Sequence, residues 1–180
     1  VRPLEEMVTS HNRALARLHA LCTLDGLKSL RPEILVQALA DEHPGVRRHA
    51  VRLAESAASS EPELGAAMLK LADDPDPQVC MQLAYSLGEW NDPRAGRVLG
   101  ELAVQHAKDP YLTAAVMSSA VPHLEQMIAV VLPDPSKAVD LTELVGNLLN
   151  LALALKNEKA AARVLGTITV QPPEGYADWQ

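Results

Sequence analysis

The stretch DEHPGVRRHAVRLAE spans residues 41–55 and sets the pattern of the whole chain. It contains a loop, a proline and an amphipathic helix. Related stretches follow at Pro77 and, more faintly, at Pro110, so that Pro44, Pro77 and Pro110 are evenly spaced along the chain. Residues 17–20 also match residues 47–50. A helical pattern that recurs about every 30 residues predicts a solenoid of stacked helix pairs.

The composition indicates an all-α fold. Of the 180 residues, 48% are hydrophobic, yet Phe is absent and aromatic residues make up only 3%. Leu, Val, Ala, Ile and Met must therefore form the core, and Ala allows helix axes to approach closely. Val and Ile are too sparse, and alternation too rare, to indicate a sheet.

The periodicity predicts an all-α superhelix of about ten amphipathic helices, paired as antiparallel hairpins. We expect one domain over residues 1–180, with regular repeats over about 12–132, a less regular helical cap over 136–170 and an irregular tail over 171–180. The helix near 12–25 is predicted to bury Leu15, Leu18, Leu21 and Cys22, and the helix near 158–169 to bury Leu165 and Ile168. Cys22 and Cys80 are interpreted as free, at least partly buried thiols.

The net charge of −7 opposes nucleic-acid binding, which depends on neutralising phosphates. We find no apolar run long enough to predict a membrane span and no visible signal peptide. Because the chain begins with Val and ends in an irregular stretch, we expect a fragment of a longer protein.

The residues at the repeated positions resemble the HEAT repeat family. Asp41 is followed by Val46 and Arg47, and the second round supplies Asp74 and Val79. The resemblance implies a ladder of hydrogen bonds between neighbouring repeats, with Asp41, Arg47 and Asp74 as rungs. Cys80 and Thr113 stand where the family has arginine, which implies that the ladder is incomplete.

A wider resemblance covers residues 17–27 and 39–55. These segments are similar to the HEAT segment of large bacterial secreted proteins that combine a dehydrogenase-type β-propeller with a cytochrome c module. The resemblance implies a spacer in a multidomain protein and an extracytoplasmic, periplasmic location; without it we would expect the cytoplasm. The chain contains no Cys-x-x-Cys-His motif, so the resemblance implies no haem here.

Two groups of side chains are candidates for a partner-binding surface. Arg47, Arg48 and Arg52 on one helix, with Arg13 and Arg17 one repeat earlier, predict a patch for an anionic ligand or an acidic partner. The alternative is that Arg47 is a ladder arginine and that the others are solvated arginines paired with Glu42, Glu55 or Asp74.

The second group lies on the helix that follows Pro77. Gln82 and Tyr85 should face away from the core, with Trp90 at the end of their helix. Exposed Tyr and Trp are favoured binding anchors, although Trp90 could instead fill the turn before Pro93.

The sequence shows no catalytic arrangement. The histidines lack the i, i+4 spacing of metal ligands, and no Ser–His–Asp or Cys–His signature is present. We therefore predict no metal, no cofactor and no enzymatic activity, but a scaffold that binds a protein partner or a neighbouring domain. Two alternatives stay open: a DNA-binding enzyme of the alkylpurine DNA glycosylase type, which some HEAT-like proteins are, and a HEAT-like chromophore lyase.

Overall fold

The structure, a computed structural model, describes residues 1–132 and 141–169. Over this part of the chain it contains eleven α-helices and no strand, so the predicted all-α fold of packed helix pairs, the HEAT-like solenoid class, is confirmed. The helices are α1 (Arg2–Ser10), α2 (Ala14–Gly26), α3 (Pro32–Leu39), α4 (Pro44–Ala54), α5 (Pro62–Leu69), α6 (Pro77–Leu87), α7 (Pro93–Gln105), α8 (Pro110–Ser118), α9 (Leu124–Val131), α10 (Thr142–Ala154) and α11 (Glu158–Thr169).

The three evenly spaced prolines occupy the same place in three helices. Pro44, Pro77 and Pro110 are the first residues of α4, α6 and α8. Proline suits this position because the first N–H groups of a helix have no intrahelical partner. The residues just before two of these prolines, Asp76 and Asp109, each accept hydrogen bonds from two backbone N–H groups of the following helix. The spacing of the prolines in the sequence therefore corresponds to the spacing of successive helix starts in the structure.

The chain divides into two compact units, Val1–Trp90 and Asn91–Gln180. In the first unit, α1, α3 and α5 pack in order as one layer, and α2, α4 and α6 pack in order as a second layer. The apolar faces of the two layers form the core, in which helices α4 and α6 bury residues such as Val46, Ala50, Val79 and Leu83 completely. Burial of these stripes, which no single helix could achieve, holds each repeat to its neighbour.

In the second unit, α7, α9 and α11 pack in order, with α8 against α7 and α10 against α9 and α11. Helices α7 and α9 lie close together at Gly96 and Gly100, which are one turn apart on α7. A Cβ atom at either glycine would stand 2.8 Å from a Cβ of α9, that of Gln126 or of Val130. The absence of a side chain at these two positions lets the two helix backbones approach.

The predicted burial in α2 is wrong at Leu15. Leu15 is 70% exposed, whereas Arg17 is buried, and Leu21 is buried as expected. Arg17 lies at the buried edge because its guanidinium reaches a carboxylate of the loop that follows α3. In α11, Leu165 is 46% exposed, so its predicted burial is also wrong. The side chain of Ile168, residues 136–140 of the expected cap and the expected tail over 171–180 lie outside the described residues.

The expectation of one domain over residues 1–180 stays a prediction. Among the described residues, no single helix is long and apolar enough to cross a membrane. One bent pair, α8 with Val121–Val131, meets the criteria of length and composition when the two are counted together.

Candidate partner-binding groove

A pair of charged side chains links each repeat of the first unit to the next. Arg47 on α4 donates from Nε to Asp74 Oδ2 at 2.6 Å and from Nη2 to Asp74 Oδ1 at 2.7 Å. Its Nη1 donates to the backbone oxygen of Asp41 at 2.8 Å. This bidentate geometry is the strongest form of an arginine–carboxylate pair, and it fixes the loop before α6 against α4.

The same arrangement occurs one repeat earlier, between Arg17 on α2 and Asp41. Arg17 donates from Nε and Nη2 to the two carboxylate oxygens at 2.7 Å each, and its Nη1 donates to the backbone oxygen of His11. Asp41, Arg47 and Asp74 thus all take part in hydrogen bonds of the Arg17 and Arg47 side chains. Arg17 is not predicted as the partner of Asp41, although residues 17–20 match residues 47–50; it is predicted as part of a surface patch.

Burial by itself raises the pKa of Asp41, but the hydrogen bonds from Arg17 and from the backbone N–H of His43 outweigh it and lower that pKa. The Asp41 carboxylate is therefore ionised at neutral pH. The Arg17–Asp41 pair is a structural element, because the exposed fractions of its two side chains are only 7% and 8%.

The later repeats lack the arginine, as expected from the sequence. Cys80 occupies the position of Arg47 one repeat later, and its Sγ lies 3.3 Å from the backbone oxygen of Asp74, where it retains a contact with the loop. Thr113, at the same position of the following repeat, has a buried hydroxyl with no hydrogen-bond partner among the described residues. Ala107 stands at the position equivalent to Asp74, so the sequence loses both members of the ladder at this point.

The predicted partner-binding residues converge on a groove between α4 and α6. The groove has a volume of about 410 Å³. It contains four of the five predicted residues together with three that the sequence analysis does not assign to this surface; the lining side chains are Arg48, His49, Arg52, Gln78, Met81, Gln82 and Tyr85. Two of these three, Gln78 and Met81, could have been found from the sequence, because positions 78, 81, 82 and 85 follow the spacing of one helix face.

No acidic side chain of the described residues lines this groove, which we call the α4–α6 groove. Arg48 donates from Nη1 to Gln78 Oε1 rather than to a carboxylate. Within the described part of the chain neither Arg48 nor Arg52 forms an ion pair, whereas Arg17, Arg31 and Arg47 each do. The alternative therefore holds in part: Arg47 pairs with Asp74 and Arg17 with Glu42, whereas Arg48 and Arg52 pair with no carboxylate of the described residues. Their guanidinium groups can donate to a ligand.

His49 lies between the two arginines on the same turn of α4. Its Nδ1 atom is buried and has no hydrogen-bond partner among the described residues. Burial lowers the pKa of His49, and the positive charges of Arg48 and Arg52 lower it further. A neutral imidazole is therefore favoured at neutral pH, so that the positive charge of the groove comes from the two arginines.

Trp90 does not belong to the groove. It is only 3% exposed, and its ring covers Gly65 of α5, where an added Cβ would lie 2.7 Å from Cη2. The prediction of Trp90 as an exposed anchor is thus wrong, because the missing side chain at Gly65 makes room for the indole. Tyr85, at 47% exposure, is the aromatic side chain that the groove offers.

Outside the α4–α6 groove, the described residues form few other clusters of polar or charged side chains that could bind a ligand. Among residues 1–132 and 141–169, no group of three His, Cys, Asp or Glu side chains is placed to hold a metal ion. A second groove of about 670 Å³ lies within the second unit, between α8 and α10, and combines Lys108, Thr113, Glu143 and Asn147. Because it contains opposite charges, its electrostatic preference is weaker than that of the α4–α6 groove.

Residues 32–120 match the family model described as HEAT repeats. The matched segment contains the Arg47–Asp74 pair and both walls of the α4–α6 groove. The repeat family predicted from the sequence is therefore supported over this segment. The resemblance to large secreted proteins with a β-propeller and a cytochrome c module is not supported. No curated protein and no solved structure matches the chain.

Proposed function

We propose that the chain is a non-enzymatic helical-repeat scaffold that holds a segment of a protein partner, or of a neighbouring domain, in the α4–α6 groove. HEAT repeats are generally protein-interaction scaffolds, which supports the general part of this proposal. The specific part of the proposal rests on one observation: Arg48, Arg52, Gln82 and Tyr85 line the same open groove. No carboxylate of the described residues lines this groove, so the charges of its two arginines are not neutralised there.

The composition of the groove suits protein binding. Arg and Tyr are enriched among the residues that dominate binding energy at protein interfaces. Both Arg52 and Tyr85 are exposed, and the helices that carry them pack against each other, with the Arg47–Asp74 pair fixing the loop before α6 against α4. A rigid surface loses little conformational entropy when a partner binds.

The finer expectations, that these residues come from a larger bacterial protein and act outside the cytoplasm, belong to the same proposal. They rest on the sequence resemblance alone. The binding experiment does not depend on them.

A photo-crosslinking amino acid at position 82 tests the proposal. We expect it to capture a specific protein, and the crosslink to disappear in the Arg48→Glu/Arg52→Glu variant. The matched control is Lys70→Glu/Arg163→Glu, which makes the same change of charge at two exposed cationic side chains outside the groove and should retain the crosslink. Both double variants should keep the melting temperature of the wild type, because none of these four side chains is in an ion pair among the described residues.

Three outcomes would count against the scaffold. Equal crosslinking by the two double variants would remove the groove from the interaction. Steeply salt-dependent binding to DNA with release of an alkylated base would favour the glycosylase alternative. A coloured ligand retained through purification would favour the chromophore lyase alternative.

A further inference from the structure

The two walls of the α4–α6 groove differ in chemistry. The α4 wall presents Arg48 and Arg52, one turn apart, which separates their Cα atoms by about 6 Å along the helix axis. The α6 wall presents Met81 and Tyr85, again one turn apart, together with the amides of Gln78 and Gln82. A ligand that fills the groove therefore meets positive charge on one side and, on the other, apolar surface from Met81 and Tyr85 beside two neutral amides.

The positive charge is confined to a short length of groove. Acidic residues flank both helices: Glu42 and Glu55 stand at the two ends of α4, and Asp76 and Glu89 stand at the two ends of α6. A long polyanion such as a nucleic acid would leave the arginines and meet these carboxylates. It would also be repelled by the net charge of −7. A short anionic segment avoids both penalties.

An extended peptide matches this geometry. Successive side chains of an extended chain point to opposite sides, and alternate residues repeat about every 6.6 Å, close to the spacing of one helical turn. Acidic residues at alternate positions could therefore face Arg48 and Arg52, while the apolar residues between them face Met81 and Tyr85. Each guanidinium can bind a carboxylate through two parallel hydrogen bonds.

We propose that the α4–α6 groove recognises a short extended segment of a protein in which acidic and apolar residues alternate. Its carboxylates pair with Arg48 and Arg52, and its apolar side chains pack on Met81 and Tyr85. This inference rests on the proposed scaffold function and specifies the chemistry of its partner.

The test is a fluorescence anisotropy titration of the full chain with three labelled peptides and one oligonucleotide. The first peptide has a Glu-Leu-Glu-Leu-Glu core, the second replaces Glu with Gln, and the third replaces Leu with Ser. We expect the first to bind at least about tenfold more tightly than either of the others, because each loses one class of contact. A single-stranded DNA oligonucleotide of equal length should bind more weakly than the first peptide.

The second part of the test measures the binding of these peptides to variants of the protein. Arg52→Gln should weaken binding of the Glu-Leu peptide by about tenfold or more, since a charge-assisted pair is lost. The control Arg163→Gln, at an exposed arginine outside the groove, should bind it like the wild type. Arg48→Glu/Arg52→Glu should lose the Glu-Leu peptide and gain a peptide in which Lys replaces Glu.

Several results would overturn this inference: equal binding of the Glu and Gln peptides, stronger binding of the oligonucleotide, or an unchanged affinity in Arg52→Gln. If Arg-dependent crosslinking at position 82 is seen but no acidic peptide binds, the acidic segment is refuted and the scaffold stands. If neither is seen, both proposals fail.

Discussion

Arg47 and Asp74 belong to successive repeats, and two hydrogen bonds of 2.6 Å and 2.7 Å join their side chains. The exposed fractions of the two side chains are 12% and 3%. Asp74 also accepts a hydrogen bond from the backbone N–H of Asp76, the residue that caps α6. One arginine therefore holds in place the loop from which the next helix begins.

Replacing Arg47 with Ala should lower the free energy of unfolding by about 3 kcal/mol, because it leaves the Asp74 carboxylate buried without a countercharge. The measurement is the midpoint of urea unfolding followed by circular dichroism. Arg97 on α7 supplies the control, since it pairs with Glu101 on an exposed surface, and Arg97→Ala should cost about 0.5 kcal/mol or less. Similar losses in the two variants would show that the Arg47–Asp74 pair does not stabilise the first unit.

The Arg17–Asp41 pair should make stability depend on pH in the acid range. The pKa of Asp41 is lower in the folded chain than in the unfolded chain, so the unfolded state binds the proton more readily as the pH falls. The stabilisation is complete above the ordinary carboxyl pKa of about 3.9 and is lost as the pH falls through the lower, folded value. We expect wild type to be more stable than Asp41→Asn at pH 7, and the difference to shrink below about pH 4. Urea unfolding of both proteins across this range tests it; a difference that stays constant with pH would refute the assignment.

The ladder shows how far the sequence predicts this fold. The spacing of Pro44, Pro77 and Pro110 is enough to place three helix starts, because proline at the first helical position acts through local geometry alone. The exposure of Leu15 on α2 cannot be predicted in the same way. The periodicity of α2 predicts that Leu15 is buried, but the pairing of Arg17 with Asp41 sets which side of the helix is buried. That contact joins different repeats, so local sequence does not reveal it.

The groove is predicted in part for a similar reason. Helical spacing is sufficient to bring Arg48 and Arg52, or Gln82 and Tyr85, onto one face of a helix. That the two faces meet across a single groove depends on the packing of α4 against α6. The burial of Trp90 cannot be predicted from local sequence, because it depends on Gly65 of another helix. The missing side chain at Gly65 leaves room for the indole ring.

The two thiols should differ in reactivity. Cys80 is 1% exposed, and burial raises the pKa of its thiol, as do the negative charges of Asp74 and Asp76. Cys22 is partly exposed. Since the thiolate is the reactive form, we expect a maleimide to modify Cys22 in the folded protein and to modify Cys80 only after unfolding. Mass spectrometry of peptides from timed reactions measures both rates, and modification of Cys80 in native buffer as fast as Cys22 would contradict the buried position of its sulfur.

The close approach of α7 and α9 predicts opposite effects for two Gly→Ala changes in the second unit. At Gly100 the new Cβ would lie 2.8 Å from Val130 Cβ and 3.3 Å from Met127 Cα, so the two backbones must separate. The cost of such overpacking, about 1–3 kcal/mol, should exceed the gain of about 1 kcal/mol from helix propensity. At Gly146 on α10 nothing among the described residues lies within 4 Å of the added atom, and Gly146→Ala should stabilise the unit by about 0.5–1 kcal/mol.

Thermal unfolding of the two variants measures both signs, and a third variant identifies the contact. Adding Val130→Ala should not relieve Gly100→Ala completely, because the two Cβ atoms remain, but it removes the crowding from Val130 Cγ1 at 3.2 Å. Val130→Ala should therefore cost less in the Gly100→Ala background than in the wild type, since part of the lost packing was strained there. If Gly100→Ala raised the melting temperature as Gly146→Ala does, α7 and α9 could not lie as close as the structure places them.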